Sequence, residues 1–134
     1  MSLLGWIYLL FALGVVNSLV ATLCVKSFLS KTSSISSALD LDHFKRLARQ
    51  QMYQALLQIG SIGSVTILWL YGMFVAHQMG FLLILILNGI LILANKPLKS
   101  LEIRVRSLPV SDQSLEGQYR AVCEAWVHKA FPNF

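Results

Sequence analysis

Residues 50–95, QQMYQALLQIGSIGSVTILWLYGMFVAHQMGFLLILILNGILILAN, run for 46 residues without an Asp, Glu, Lys or Arg. A helix rising about 1.5 Å per residue needs roughly 20 mostly apolar residues to cross a hydrocarbon core about 30 Å thick. The stretch is long enough to cross twice if it folds back on itself. Ala76-His77-Gln78-Met79-Gly80 is the polar, glycine-containing break near its middle. Spans are therefore expected over residues 55–75 and 79–95, joined by a turn at 76–80. Upstream, residues 1–25 are also free of charge and supply one more span, over about 3–25. The third span is expected to be short and little tilted, ending at Asn95-Lys96-Pro97, because proline interrupts a helix.

The composition agrees with that reading. Of 134 residues, 56% are hydrophobic and only 13% charged, and the mean hydropathy is +0.66. A water-soluble globular domain does not carry so much apolar side chain, and the excess requires lipid as a second solvent. The fold class expected is an all-α integral membrane protein with three transmembrane helices.

Lysine and arginine concentrate in loops that stay in the cytoplasm, so their placement predicts orientation. Lys26, Lys31, Lys45, Arg46 and Arg49 lie between the first two spans, and the remaining six of the 11 follow the third. None precedes the first span or lies in the turn at 76–80. The N-terminus is expected outside and the C-terminus in the cytoplasm. Trp6 and Tyr8, and Trp69 and Tyr71, fall near the outer ends of spans one and two, where interfacial aromatics belong. Residues 1–6 have no basic segment and no small-x-small site precedes Lys26, so no cleaved signal peptide is expected. Cys24 and Cys123 both fall on the cytoplasmic side and are expected as reduced thiols.

The chain then divides into residues 1–28 as transmembrane helix 1 and a flexible Ser-rich linker at 29–39. An amphipathic helix continuing into transmembrane helix 2 follows at 40–75, then the turn, the third span, and a cytoplasmic tail at 96–134. Asp40 is the expected N-cap of the second element, with Leu41, Phe44, Leu47, Ala48 and Met52 on one face. Residues 98–108 fit a helix through Leu98, Leu101, Val105 and Leu108, and a strand through alternating Leu101, Ile103 and Val105. An interfacial helix is favoured because the chain offers no strand for them to pair with. After Pro109, Ser111 or Asp112 caps a final amphipathic helix of about 17 residues. Its apolar face holds Leu115, Tyr119, Val122, Cys123, Trp126, Val127 and Ala130, and Pro132 stops it.

No Asp, Glu, Lys, Arg or His lies inside an expected span, which argues against proton-coupled transport and membrane hydrolysis. His43, His77 and His128 show no metal-ligand spacing. His77 is the one candidate cofactor ligand, to a haem or chlorophyll held by a partner; a solvated turn histidine is the plainer reading. The polar span residues Asn17, Ser61, Ser64, Thr66 and Asn88 should face protein, since an unpaired polar group in hydrocarbon costs several kcal/mol. Counting about 1.5 Å per residue from the outer ends puts Asn17 and Ser61 near 21 Å depth, and Thr66 and Asn88 near 13.5 Å. Those are two expected interhelical contacts. Gly60 and Gly63 mark a hinge or close contact, and Gly60-x-x-x-Ser64 and Gly72-x-x-x-Ala76-x-x-x-Gly80 are faces suited to tight packing.

With these residues the expected function is that of a non-enzymatic accessory, anchoring or assembly subunit of a larger membrane complex. Leu115, Tyr119, Val122, Trp126, Phe44 and Leu47 would dock the partner, and Lys45, Arg46 and Arg49 would meet lipid headgroups. Other integral membrane subunits are the expected partners, a hetero-complex being favoured over a homo-oligomer. Nucleic acid is not expected, and no cofactor of the chain's own is predicted, though a partner's pigment, haem or lipid is compatible with this reading. The membrane would be a bacterial plasma membrane or an equivalent energy-transducing one. In topology alone (chain length, three spans, N-outside and C-inside, a charged tail) the chain resembles the phage holins, which implies a self-associating pore protein as the alternative.

Overall fold

The computed structural model of the chain describes residues 2–77, 81–129 and 131–132. They form four helices, α1 (Leu3–Lys31), α2 (Ala38–Phe74), α3 (Phe81–Arg106) and α4 (Gln113–His128), and no strand. Helices α1 and α2, and residues Leu82–Arg106 of α3, are each long and apolar enough to cross a membrane. Gln78, Met79 and Gly80 of the expected turn, and Ala130, lie outside the described residues.

Helices α1, α2 and α4 each start at a side-chain cap. Ser2 Oγ accepts from Gly5 N–H at 3.1 Å to open α1, and the carboxylate of Asp112 accepts from Ser114 N–H at 3.0 Å to open α4. The start of α2 differs from the expectation at Asp40. Ser37 is the N-cap, accepting from Asp40 N–H at 3.2 Å, while the Asp40 carboxylate reaches back to Ser36 N–H and Oγ at 3.2 and 2.9 Å. Ser37 takes a free N–H of the first turn while Asp40 fixes the residue before the cap, which moves the start of the helix to Ala38.

Two further expectations are corrected. The linker at 29–39 is neither that long nor free: α1 runs to Lys31, and Ile35 is fully buried. Ile35 N–H donates to Pro109 O at 2.9 Å, and Ser111 N–H donates to Ile35 O at 3.0 Å, a single parallel bridge between the two loops. Pro97 does not end α3, which continues for nine residues past it to Arg106, so the third span and residues 98–106 are one helix. The buried positions Ile84, Leu87, Leu91 and Val105, with Asn95, Leu98 and Leu101 partly buried between them, repeat every three to four residues across the proline. Packing along that stripe outweighs the single backbone bond the proline ring removes, and Pro97 itself is exposed.

Helix α1 is central. It packs along both α2, antiparallel, and α3, parallel, whereas α2 and α3 touch each other little. Its buried residues are Ile7, Gly14, Ser18, Ala21 and Val25, a mostly small-residue stripe. The closest approach is at Gly14. A Cβ there would lie 3.1 Å from Ser61 Oγ, 3.4 Å from Gln58 Nε2 and 3.6 Å from Leu91 Cδ2, so α2 and α3 both close on this one residue. At Gly60 and Gly63, by contrast, a Cβ would meet nothing within 4 Å, so among the described residues neither stands at a close contact with another helix.

Two apolar clusters bracket the bundle. At the end where α1 begins, Ile7, Val65, Trp69, Ile84 and Leu87 pack together. At the other, charged end, Phe44, Leu47, Leu115, Tyr119 and Val122 form a core with Val25, Ile35 and Val105. Phe44 is its hub, with ring centroids of Tyr119, Trp126 and Phe28 at 4.8, 6.0 and 6.2 Å. The side chains expected to dock a partner are therefore consumed inside the chain, because the apolar faces of α2 and α4 cover each other. Val127, expected on the same face, is 53% exposed, and Ala125 is buried in its place.

Gly14→Val should lower unfolding stability in detergent by about 1–3 kcal/mol, since overpacking there pushes on two helices at once. Gly60→Ala, with open space around it, should lose nothing. Unfolding by SDS, followed by circular dichroism, checks the pair.

Candidate functional site

Between the two apolar clusters lies a polar layer. Asn17 Nδ2 donates to Gln54 O at 2.9 Å and to Gln58 Oε1 at 3.1 Å. Ser18 Oγ donates to Asn95 Oδ1 at 2.8 Å, and Asn95 Nδ2 donates back to Leu91 O at 3.0 Å. Gln51, 2% exposed, donates through Nε2 to Ala21 O at 3.3 Å and to Gln54 Oε1 at 3.0 Å. Ser61 Oγ donates to Leu10 O at 2.7 Å. These bonds tie α1 to both neighbours, and they need the small side chains of the α1 stripe to come within reach.

Asn17 and Ser61 thus both bond across the α1–α2 interface, but not to each other. Asn17 meets Gln54 and Gln58, a slip of about one to two turns from the expected register. Equal depth from the outer ends does not set the pairing: Leu10 meets Ser61, and Asn17 meets Gln54 and Gln58. The expected Thr66–Asn88 contact is not formed among the described residues. Thr66 Oγ1 donates to Ile62 O at 2.9 Å, and Ser64 Oγ to Gly60 O at 2.8 Å, each within its own helix. A hydroxyl one turn from a helical carbonyl is satisfied locally and needs no neighbour. Asn88 is half-buried on α3. His77 is exposed in the turn after α2, with φ 51°, and among the described residues no three His, Cys, Asp or Glu gather as a metal site would require.

Because α2 and α3 diverge, the polar layer opens between them into a cavity of about 240 Å³. Asn17, Ser18 and Ala21 form its floor. Gln51, Gln54 and Gln58 line one wall, and Asn95, Leu98 and Glu102 the other. Gln58 Nε2 is buried without a hydrogen-bond partner. Gln51, Gln54 and Gln58 carry no charge and sit at a helix's inner face, so hydropathy and charge reading pass over them. Gly14-x-x-x-Ser18-x-x-Ala21 was the readable signal for the face they meet. A second cavity of about 310 Å³ adjoins the first, sharing Ala55, Ile59 and Glu102 with it and continuing past Arg106 to Trp126 and Lys129. The Arg106 guanidinium lies 5.6 Å from the centroid of the Trp126 ring.

The expected headgroup residues take separate paths. Lys45 Nζ reaches Gln118 Oε1 at 3.5 Å, Arg46 pairs with Asp42 one turn away at 3.4 Å, and Arg49 is exposed. In the packed end of the molecule Tyr119 Oη donates to Val105 O at 2.7 Å and accepts from Leu108 N–H at 3.1 Å, fastening the last turn of α3. Burial, with the neighbouring Cys123 thiol, pushes the Tyr119 hydroxyl's pKa well up. Burial likewise pushes the Cys123 thiol up, opposed by the Tyr119 hydroxyl and the Arg106 charge. No family model, curated protein or solved structure matches this chain.

Two outcomes follow from this geometry. Asn17→Leu removes both of its interhelical bonds and should cost about 1–2 kcal/mol of unfolding stability in detergent, at the rate of about 0.6 kcal/mol and upward per interhelical bond in a membrane protein. In a Cys24→Ala background, Cys123 should react slowly with N-ethylmaleimide at pH 7.5, because only the thiolate attacks. Its rate should keep rising past pH 9.0, the ordinary thiol value. The buried neutral thiol stabilises the fold below its unfolded pKa, and that contribution is lost as pH rises through the higher folded one.

Proposed function

We propose that this protein is an integral membrane protein, N-terminus outside and C-terminus cytoplasmic, that serves as a non-enzymatic accessory or assembly subunit of a larger membrane complex. It docks its partner sideways, through the face of α2 that points away from the bundle. The observation that carries this reading is the open space around Gly60 and Gly63, where a Cβ would meet nothing within 4 Å. Ser64 lies beside them with its hydroxyl turned to its own backbone, and Ile67 on the same face is 67% exposed. In lipid, small residues facing outward forgo contact with acyl chains and permit close approach of another helix. The alternative route, through the apolar faces of α2 and α4, is closed because those faces cover each other. Orientation rests on the one-sided lysines and arginines.

Mild detergent extraction from the native membrane, followed by native mass measurement, tests the reading. The wild-type chain should comigrate with unrelated subunits, and the double variant Gly60→Ile, Gly63→Ile should lose them while remaining folded. A ladder of homo-oligomers, with leakage from liposomes, would instead favour a self-associating pore and overturn the proposal.

A further inference from the structure

We propose that the cleft between α2, α3 and α4 is a binding site for the headgroup of a phospholipid bearing a primary ammonium, of the phosphatidylethanolamine type. The inference uses a different surface from the outward face of α2 and rests only on the membrane reading. Two adjoining cavities make up the cleft, and Glu102 lines both. Among the described residues lining the inner cavity Glu102 is the one ionisable group, and the rest of the polar lining is amide and hydroxyl. Among the described residues Glu102 forms neither a salt bridge nor a hydrogen bond. The amide nitrogens of Asn17 and Gln51 are engaged, leaving their oxygens as acceptors in the cavity that the carboxylate lines, while Gln58 Nε2 is a buried donor in the same lining, free to take a phosphate or ester oxygen. One negative charge among spare acceptors suits a cation that donates several hydrogen bonds.

The outer cavity supplies the opposite charge. Arg106 follows Glu102 by one helical turn, on the same side of α3, and Lys129 lines the same space. Side chains four apart have Cβ atoms about 5–6 Å from each other along a helix, so Glu102 and Arg106 can meet the two opposite charges of one headgroup. Arg106 serves the phosphate and Glu102 the ammonium, while Leu56 and Ile59, which line the outer cavity, meet the glycerol and upper acyl carbons. The cleft lies at the level of Lys96 and Lys99 on α3, where an inner-leaflet headgroup region is placed by the charge distribution. A phosphatidylcholine headgroup has no N–H to give, and a phosphatidylglycerol headgroup has no cation for Glu102, so both should bind less well.

The test adds short-chain phosphatidylethanolamine, phosphatidylcholine or phosphatidylglycerol to the full chain in neutral detergent and reads binding by the rise in Tm. Phosphatidylethanolamine should bind about tenfold or more tightly than the other two. Glu102→Gln should abolish that preference, whereas Arg106→Gln should weaken all three alike. Equal binding of the three lipids, tightest binding of phosphatidylglycerol, or an unchanged preference in Glu102→Gln would overturn the proposal. Should Glu102→Gln fail to fold, competition on the wild-type chain decides: glycerophosphoethanolamine should displace the bound lipid, and failure to outcompete glycerophosphocholine would refute the site. A chain that stays in the aqueous phase on detergent phase separation would refute the membrane reading itself, a separate result.

Discussion

Three helices meet at Gly14 because nothing stands on its α-carbon. Ser61 and Gln58 of α2 come to within 3.1 and 3.4 Å of where a Cβ would be, and Leu91 of α3 to within 3.6 Å. In a lipid environment no hydrophobic drive pulls apolar helices together, so close backbone approach and the polar bonds it allows must supply the association. Gly14 provides the approach. The hydrogen bonds on either side of it, from Asn17 to Gln54 and Gln58 and from Ser61 to Leu10, supply direction and register. Ser18 does the same toward α3 through Asn95. The order of the bundle, with α1 in the middle, follows from the one stripe of small residues lying on α1.

The charged end is organised by a different force. There Phe44, Leu47, Tyr119 and Val122 bury one another as in a soluble core, with aromatic rings at 4.8 to 6.2 Å adding to the gain from buried area. The bridge between the loops at Ile35 and Val110 holds α1 and α3 at the spacing that lets α4 lie across α2. Tyr119 completes the closure by taking the Val105 carbonyl and the Leu108 N–H, groups that the end of α3 would otherwise leave open.

Much of this was legible from residue order. The charge-free runs at 1–25 and 50–95 announce three long apolar helices, and the stripe through Leu41, Phe44 and Leu47 announces an apolar face on the start of α2. What the pattern withheld was the cover for that face. Amphipathicity says that a face must be buried and is silent on whether a partner or another helix of the same chain buries it. Pro97 misled for a related reason: local chemistry says stop, but the stripe from Ile84 to Val105 runs through it in step, and packing along α1 decided. The polar cavity was hidden because its walls are glutamines, which signal neither charge nor hydrophobicity, and because register between helices is not written in either helix alone.

The cavity is itself a consequence of where the small residues lie. Helix α1 draws α2 and α3 onto itself at Gly14, Ser18 and Ala21, and neither α2 nor α3 carries a matching stripe toward the other: Gly60 and Gly63 point away, and a Cβ at Gly89 of α3 would meet nothing within 4 Å. Two helices pulled to a third, without attraction for each other, leave a cleft between them. Had Gln54, Gln58 and Asn95 been leucines, the cleft could fill with their side chains or with acyl chains at little cost. With amides there, a buried Gln58 nitrogen remains unpaired, at a penalty of about 1–3 kcal/mol that an apolar core would avoid. A bundle that keeps such a layer at the level of its own lysines carries a polar opening between two of its helices, and the chemistry of that opening, a carboxylate at Glu102 followed one turn later by the Arg106 guanidinium, is zwitterionic.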